Sequence, residues 1–204
     1  TVTDDNNCTV TGSYFVSQPS AISLQGVVSN VSCFNGANGS VNLTVTGGTP
    51  GYTYLWSNGF TGQDPISLTA LAYTVTVTDN NSCTASTSFT VTQPTAISIS
   101  GSVTDVLCNG QSTGAVDVTV SGGTSPYSYV WSNAAITQDI NNVTANSYTV
   151  TVTDFNSCIS NSTFVVSQPT AITASFTSVQ PTCANSNGSL SVNALGGVGT
   201  YTYL

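Results

Sequence analysis

Cysteine and aspartate are the chemically reactive residues of this chain, and both recur at fixed spacing. The 204 residues include six cysteines and eight aspartates but no Lys, Arg, His, Glu or Met. A cysteine nucleophile would lack a basic partner here, because histidine is absent. Cysteines at repeated positions are typical of structural disulfides in an oxidising compartment, and their spacing matches no zinc motif. The disulfide candidates are Cys8, Cys33, Cys83, Cys108, Cys158 and Cys183.

The elements that position these residues belong to an internal repeat of 75 residues. Thr76–Asp79 returns as Thr151–Asp154, and a Gln-Pro pair recurs at the same interval. Proline cannot donate to a β-ladder and stiffens a short linker, so Gln-Pro is the natural boundary. We therefore predict complete repeats at 19–93 and 94–168, the C-terminal strands of a preceding repeat at 1–18, and the N-terminal part of a following repeat at 169–204.

Hydrophobic residues within one repeat alternate with a period of two. Every other residue of Val41–Thr46 is apolar, and the copy at Val116–Val120 repeats the pattern. Such alternation predicts strands with one buried face. We expect seven short strands per repeat, including one near Ile136–Ile140 and one at Asn142–Thr144. The fold class is therefore all-β, with tandem immunoglobulin-like β-sandwiches of about 75 residues in an elongated array.

The charge balance excludes several kinds of partner. A net charge of −8 without one basic side chain leaves nothing to contact nucleic-acid phosphates. Attraction to an anionic membrane surface is excluded for the same reason. No stretch reaches the roughly 18 apolar residues that insertion into a bilayer requires. We therefore expect no nucleic acid and no membrane insertion in this segment.

Three schemes of cysteine pairing are open. Pairing within one repeat would join Cys33 to Cys83 and Cys108 to Cys158. Pairing across Gln-Pro would use all six cysteines. A third scheme joins the first loop of one repeat to the last hairpin of the next, because these two features lie at opposite ends of an immunoglobulin-like unit. The pairs of the second scheme are Cys8–Cys33, Cys83–Cys108 and Cys158–Cys183, and the pair of the third is Cys33–Cys158.

The recurrent aspartates have two interpretations. Asp79 and Asp154 follow the sixth strand and precede Asn or Phe-Asn, so their carboxylates are suited to binding turn N–H groups. The alternative is a weak calcium site, because hard cations prefer carboxylate oxygens. A glycosidase would need two carboxylates at about 5–10 Å, and only Asp64 and Asp79 form a recurrent pair. We therefore predict that the chain is not an enzyme and needs no cofactor.

Aromatic and amide side chains provide the remaining candidates. Trp56 and Trp131 occupy one repeat position and are expected in the core. Tyr52 and Tyr127 lie on the same strand face and are possible sugar contacts, since tyrosine combines an apolar ring with a polar tip. Eight glycosylation sequons occur. They are at Asn7, Asn30, Asn38, Asn42, Asn80, Asn142, Asn161 and Asn187.

The order of motifs resembles a known family. Cys-x-Gly-x-x-x-Gly-Ser/Ala is followed by Gly-Gly-x-x-x-Tyr-x-Tyr-x-Trp-Ser-Asn, then by Tyr-Thr-Val-Thr-Val-Thr-Asp-x-Asn-Ser-Cys and Gln-Pro. This order resembles the SprB repeat, from which gliding bacteria that use type IX secretion build very long cell-surface adhesins. The resemblance extends over the whole chain. It implies a secreted, extracellular, surface-attached array and brings no catalytic residues.

Two functions follow from the repeat and the resemblance. The first is the stalk or fibre of a cell-surface adhesin, attached to surfaces or polysaccharides by many weak contacts. Its partners would be neighbouring repeats and, beyond them, polysaccharide or surface glycans. The alternative is a purely structural extracellular filament, glycosylated or not, whose repeats bind only one another. Both place the protein outside the cell or on its surface.

Overall fold

β-strands are the regular elements of the chain in the computed structural model, which describes residues 1–183 and 186–204. The chain divides into two compact units, Thr1–Gln93 and Pro94–Leu204. The strands of the first unit are β1 (Val2–Thr3), β2 (Thr9–Val10), β3 (Ser23–Ser29), β4 (Ser40–Thr46), β5 (Thr53–Trp56), β6 (Ala72–Thr78) and β7 (Thr84–Thr90). The strands of the second are β8 (Ser98–Thr104), β9 (Gly114–Ser121), β10 (Ser128–Trp131), β11 (Ile140–Val143), β12 (Asn146–Thr153), β13 (Ile159–Val166), β14 (Thr173–Val179) and β15 (Ser189–Leu195).

Two antiparallel sheets form the sandwich of the first unit. One sheet pairs β3 with β4, and the other has the order β5-β6-β7. The alternation of residues decides which side chains face inward: Tyr73 and Val75 are buried, while Thr74 between them is exposed. The core between the sheets also holds Leu43 and Trp56. The all-β prediction and the immunoglobulin-like sandwich are therefore confirmed.

The second unit repeats this arrangement. Its sheets have the orders β8-β9-β11 and β10-β12-β13. Val118, Val150 and Val152 are fully buried at positions equivalent to those of the first core. The antiparallel pair β14–β15 follows, with Phe176 opposite Val192. Because the same sequence pattern gives the same register twice, the repeat is structural as well as sequential.

Each complete sandwich has fewer strands than the seven expected from the sequence. Across the described residues of 94–168 there are six strands, and the strand expected near Ile136–Ile140 is absent. The side chains of Gln138 and Asp139 replace it. Gln138 Nε2 donates to the carbonyl oxygen of Val118, and Val118 N donates to Asp139 Oδ1 at 2.8 Å. β11 pairs with Gly114–Val116 of β9, and side chains satisfy the backbone of Val118 next to that pairing, so a further strand would have no backbone groups to pair with there.

A tyrosine corner fixes the connection into the central strand of the second sheet. The Tyr73 hydroxyl donates to the carbonyl oxygen of Thr69 at 3.1 Å. Tyr148 makes the same bond to Thr144 at 2.9 Å. A tyrosine near the start of this strand that bonds a few residues upstream is a hallmark of immunoglobulin-like sandwiches.

Candidate functional site: the two poles of the repeat

The hairpin after β6 is organised by one buried carboxylate. Asp79 Oδ1 accepts N–H bonds from Asn81 and Cys83, both at 2.9 Å, and Oδ2 accepts one from Thr49 at 2.9 Å. The bond from Thr49, assisted by those from Cys83 and Asn81, holds the pKa of Asp79 below its ordinary value against the opposing effect of burial. We call this end of a repeat, with the hairpin and the neighbouring Gly-Gly turn, the hairpin pole.

The second repeat builds its hairpin pole in the same way. Asp154 accepts N–H bonds from Thr124 at 2.9 Å, Asn156 at 2.9 Å and Cys158 at 2.8 Å. A cation would need oxygen ligands where these carboxylates meet N–H donors. Within the described residues, no cluster of three or more potential ligands is placed to hold a metal ion. The geometry therefore matches the turn-forming interpretation of both aspartates.

Acidification is expected to destabilise the first unit through Asp79. The folded chain keeps this carboxylate ionised at a pH where the unfolded chain, with a pKa of about 3.9, takes up a proton. The resulting stability is fully present above about pH 4 and decreases as the pH falls through the folded pKa. Urea unfolding of the first unit, followed by Trp56 fluorescence between pH 6 and pH 2, measures this loss.

The matched control removes the same charge from an exposed position. Asp79→Asn should flatten the acid limb of the stability profile, whereas Asp5→Asn, in the exposed hairpin of residues 1–18, should leave it unchanged. A profile that Asp79→Asn does not alter would contradict the assigned role.

The opposite end of the repeat, which we call the loop pole, is held by the glutamine of Gln-Pro. Gln93 Oε1 accepts an N–H bond from Asn35 at 2.8 Å, directly after Cys33 and Phe34. In the second repeat, Gln168 Oε1 accepts from Gly110 at 2.8 Å. The boundary motif therefore also fastens the first cysteine loop to the C-terminal end of its own repeat.

The two cysteines of one repeat lie at opposite poles. Cys83 precedes β7, and Gln93, which holds the Cys33 loop, follows it. Seven residues of β7 span about 23 Å at the usual strand rise. A disulfide requires Cα atoms within about 7 Å. Pairing of Cys33 with Cys83 is therefore incompatible with the fold.

The oxidation states agree with this geometry. Cys33 and Cys158 are disulfide-bonded. Every pair in the schemes within one repeat and across Gln-Pro includes at least one free thiol, so the structure contradicts both schemes. The free thiols are Cys8, Cys83, Cys108 and Cys183.

The aromatic candidates all make hydrogen bonds within the fold. Trp56 and Trp131 are buried, and their Nε1 atoms donate to the carbonyl oxygens of Gly62 at 3.0 Å and Thr137 at 2.9 Å. The hydroxyls of Tyr52 and Tyr127, the possible sugar contacts, donate to the first glycine of the Gly-Gly turn. Both tyrosines are half-buried, and this bond uses the one hydroxyl proton of each.

Asp64 and Asp79, the recurrent pair that a glycosidase would need, have separate structural roles. Asp64 Oδ1 accepts an N–H bond from Leu43 at 2.8 Å, at the edge of β4. Asp79 lies in the hairpin pole, where its two oxygens accept three N–H bonds. Both carboxylates therefore serve as acceptors for backbone N–H groups.

The sequon asparagines are all exposed, and some also have structural bonds. Asn30 Oδ1 accepts from Thr92 N at 2.9 Å, and Asn38 and Asn187 bond Ser32 and Thr182. Glycosylation would compete with the Asn38 and Asn187 bonds, because sugars attach to the amide nitrogen. The other exposed sequon residues are Asn7, Asn42, Asn80, Asn142 and Asn161.

Three structural residues escaped the sequence analysis, although each recurs. Tyr73, Gln63 and Gln93 return 75 residues later in equivalent roles. Their recurrence could have revealed them, because each keeps its residue type in both repeats while many other positions differ. Among the described residues, no helix has the length and apolar character required to span a bilayer.

The repeated β-sandwich, with its side-chain-bonded loops at each pole, defines the class of the protein as one built from tandem immunoglobulin-like repeats. The SprB repeat family matches residues 26–61, 100–136 and 175–204, which together make up just over half of the chain. The chain therefore belongs to the SprB repeat family. Each matched segment begins in the first strand of a repeat, and the two complete ones extend beyond the tryptophan strand. Membership identifies a repeat-built protein of the cell surface.

Solved structures give looser likenesses. A 282-residue C-terminal fragment of intimin, in complex with the intimin-binding domain of the translocated intimin receptor, is 14% identical with a TM-score of 0.39; the match covers 78% of this chain and 67% of that one. Extracellular domains 3–5 of Drosophila OTK are 11% identical with a TM-score of 0.31, covering 72% and 61%.

Domains 4–9 of the surface layer protein SbsC are 16% identical with a TM-score of 0.32, and the match covers 88% of this chain and 36% of that one. At these TM-scores the likenesses carry no argument about function. A search of curated proteins gave no match.

Proposed function

We propose that these repeats form the stalk of a secreted cell-surface adhesin and attach to polysaccharide through many weak contacts. Membership in the SprB repeat family carries this proposal. The contact surface is the outer face of sheet β5-β6-β7 and of its counterpart β10-β12-β13, which have hydroxyl pairs such as Thr74–Ser88 at 2.8 Å and Thr149–Thr163 at 2.8 Å. A chain without one cation favours neutral polymers over anionic ones. No catalytic role is proposed, because the aspartates that could serve as acids bind backbone N–H groups.

Multivalent display tests the proposal. The 204-residue chain, immobilised densely on beads, should retain neutral polysaccharides, while the same chain free in solution should bind about 100-fold or more weakly. Thr76→Asp with Thr151→Asp places a carboxylate on both outer faces and should abolish retention. Thr44→Asp with Thr119→Asp, on the outer face of the other sheet, is the matched control and should retain the polymer.

A structural filament is the second candidate, and the tyrosine geometry favours it. Because Tyr52 and Tyr127 donate their hydroxyl protons to the Gly-Gly turns, neither hydroxyl is available to donate to a sugar. Absence of retention across neutral and anionic polymers would support the filament and reject adhesion by these repeats. Retention by the outer-face variant would reject the assigned surface.

A further inference from the structure

We infer that the face of the β14–β15 pair that carries Phe176 and Val192 accepts only a closing sheet with a small residue at the position of Phe89 and Phe164. The two complete repeats show what covers such a face, namely a three-stranded sheet that ends in the last strand of the repeat. The deciding feature is a slot between the first and last strands that holds one aromatic ring. This slot determines which strands can complete a sandwich, independently of what the repeats adhere to.

The slot of the first complete repeat is filled by a ring from the last strand. Phe89 on β7 lies with its ring centroid 6.1 Å from that of Trp56. Its Cε1 and Cζ atoms lie 2.6 and 2.7 Å from the point that a Cβ on Gly26 of β3 would occupy. Gly26 is paired with Leu43, which is fully buried, so this position of the first strand faces the core. A glycine on the first strand therefore makes room for the ring.

The second complete repeat has the same slot. The ring centroid of Phe164 on β13 lies 6.2 Å from that of Trp131. The Phe164 Cε1 atom lies 3.0 Å from the point that a Cβ on Gly101 of β8 would occupy. Gly101 is paired with Val118, which is also fully buried, and β8 contacts β13 at this edge of the sandwich. In both complete repeats, then, a phenylalanine of the last strand packs over a glycine of the first.

The first strand of the β14–β15 pair carries its own phenyl ring at this position. Phe176 follows Gly26 and Gly101 at the repeat interval of 75 residues, and it is paired with Val192 in the same register. Phe176 is 67% exposed and Val192 is 36% exposed, so no sheet covers this face within the described residues. A ring from the first strand takes the space that the ring of a last strand would need.

A neighbouring core position of β14 is smaller than in the complete repeats. Ala174 stands where the first strands carry Leu24 and Ile99, both of which pack against their cores. Ser178, two residues after Phe176, stands where those strands carry a valine. This loss of aliphatic volume offsets the added ring, and cores tolerate substitutions that conserve total volume. β14 is therefore suited to a core whose aromatic residue is on the first strand instead of the last.

The closing sheets of the two complete repeats are excluded as partners for this face. Sheets β5-β6-β7 and β10-β12-β13 each bring a phenylalanine to the slot. Exchange of equivalent strands is a characteristic failure of repeat proteins. The partner that fits β14–β15 is a closing sheet of this repeat type with Gly, Ala or Ser at the slot. Moving the aromatic residue to the first strand thus prevents strand exchange with the preceding repeats.

An extended chain tests which closing strands the face accepts. Leu204 is equivalent to Val130, so a second copy of residues 131–168 added after Leu204 supplies the remaining strands of a third sandwich. With Phe164 retained in the added copy, we expect no third sandwich. Phe164→Ala in the added copy should allow the third sandwich to form. Phe176→Gly, with the added phenylalanine retained, should allow it as well.

Limited proteolysis with chymotrypsin, which cleaves after aromatic residues, measures the outcome. Formation of the third sandwich should slow cleavage after Tyr201 and Tyr203 by about 10-fold or more, because a closed core opens rarely. Cleavage after the equivalent Tyr127 and Tyr129 is the reference within the same chain. Equal protection in the chain with both rings would overturn the inference. Rapid cleavage in the chain with Phe164→Ala in the added copy would overturn it as well.

The first complete repeat of the 204-residue chain allows the same exchange without an extension. Gly26→Phe should lower the melting temperature of the first unit by about 10 °C, because two rings then compete for one slot. Phe89→Ala should also lower it, because the slot is left empty. The double variant should be more stable than either single variant. Additive losses would show that the two positions share no slot and would overturn the inference.

Discussion

Trp131→Ala is expected to unfold the sandwich of residues 94–168. The indole is 2% exposed, donates to the carbonyl oxygen of Thr137 at 2.9 Å, and lies with its ring centroid 6.2 Å from that of Phe164. Truncation of a buried tryptophan to alanine costs about 3–5 kcal/mol. A domain of this size has a free energy of unfolding near the lower end of about 5–15 kcal/mol, so most of its stability would be lost.

The experiment has an internal reference. In Trp131→Ala the remaining Trp56 reports the first unit by fluorescence, while circular dichroism reports total strand content. We expect circular dichroism to lose the contribution of one sandwich and Trp56 to melt as before. Val130→Ala, at a neighbouring residue that is 55% exposed, is the control and should change the melting temperature little. A melting temperature of Trp131→Ala within a few degrees of the parent would contradict the core assignment.

Gly122→Ala is expected to have the second large effect. Gly122 has φ +75°, and an added Cβ would lie 2.0 Å from the carbonyl oxygen of Ala96. The left-handed conformation costs a side-chain-bearing residue about 1–2 kcal/mol, and relief of the clash requires backbone movement at a further cost of about 1–3 kcal/mol. The total is about 2–5 kcal/mol of lost stability, measured by urea unfolding with Trp131 fluorescence.

Substitution of Gly110 measures the cost of conformational strain without the steric clash. Its φ is +79°, close to that of Gly122, but an added Cβ would meet no atom within 4 Å. Gly110→Ala should therefore cost only the strain, about 1–2 kcal/mol. Equal losses for the two variants would show that the close approach to Ala96 is relieved without cost.

Local patterns in the sequence were sufficient to predict most of the fold. The alternation around Val75 and Val77 predicted the buried face of β6, and the 75-residue interval predicted that the second unit would repeat the first. The turn-forming interpretation of Asp79 also matches the structure, because this chemistry involves residues only two and four positions away. Patterns of this kind are readable because sequence neighbours supply the interacting groups.

Features that depend on distant partners were harder to predict. Nothing local indicates that Gln138 and Asp139 would replace a strand by bonding Val118, 20 and 21 residues earlier. The role of Gln93 also depends on a loop 58 residues away. The cysteine schemes remained open for the same reason, since pairing depends on which pole each loop occupies.

Side-chain bonding at the edge of β4, and at Val118 of β9 next to the pairing with β11, limits how these repeats associate. An unpaired strand edge is a template for strands of other chains, and proteins commonly protect such edges with charged residues, especially lysine. This chain has no lysine. Gln63 and Asp64 occupy the amide and carbonyl groups of Leu43 that an incoming strand would need. This nearly uncharged protein thus uses an amide side chain and one carboxylate to protect the strand edge from amyloid-like pairing.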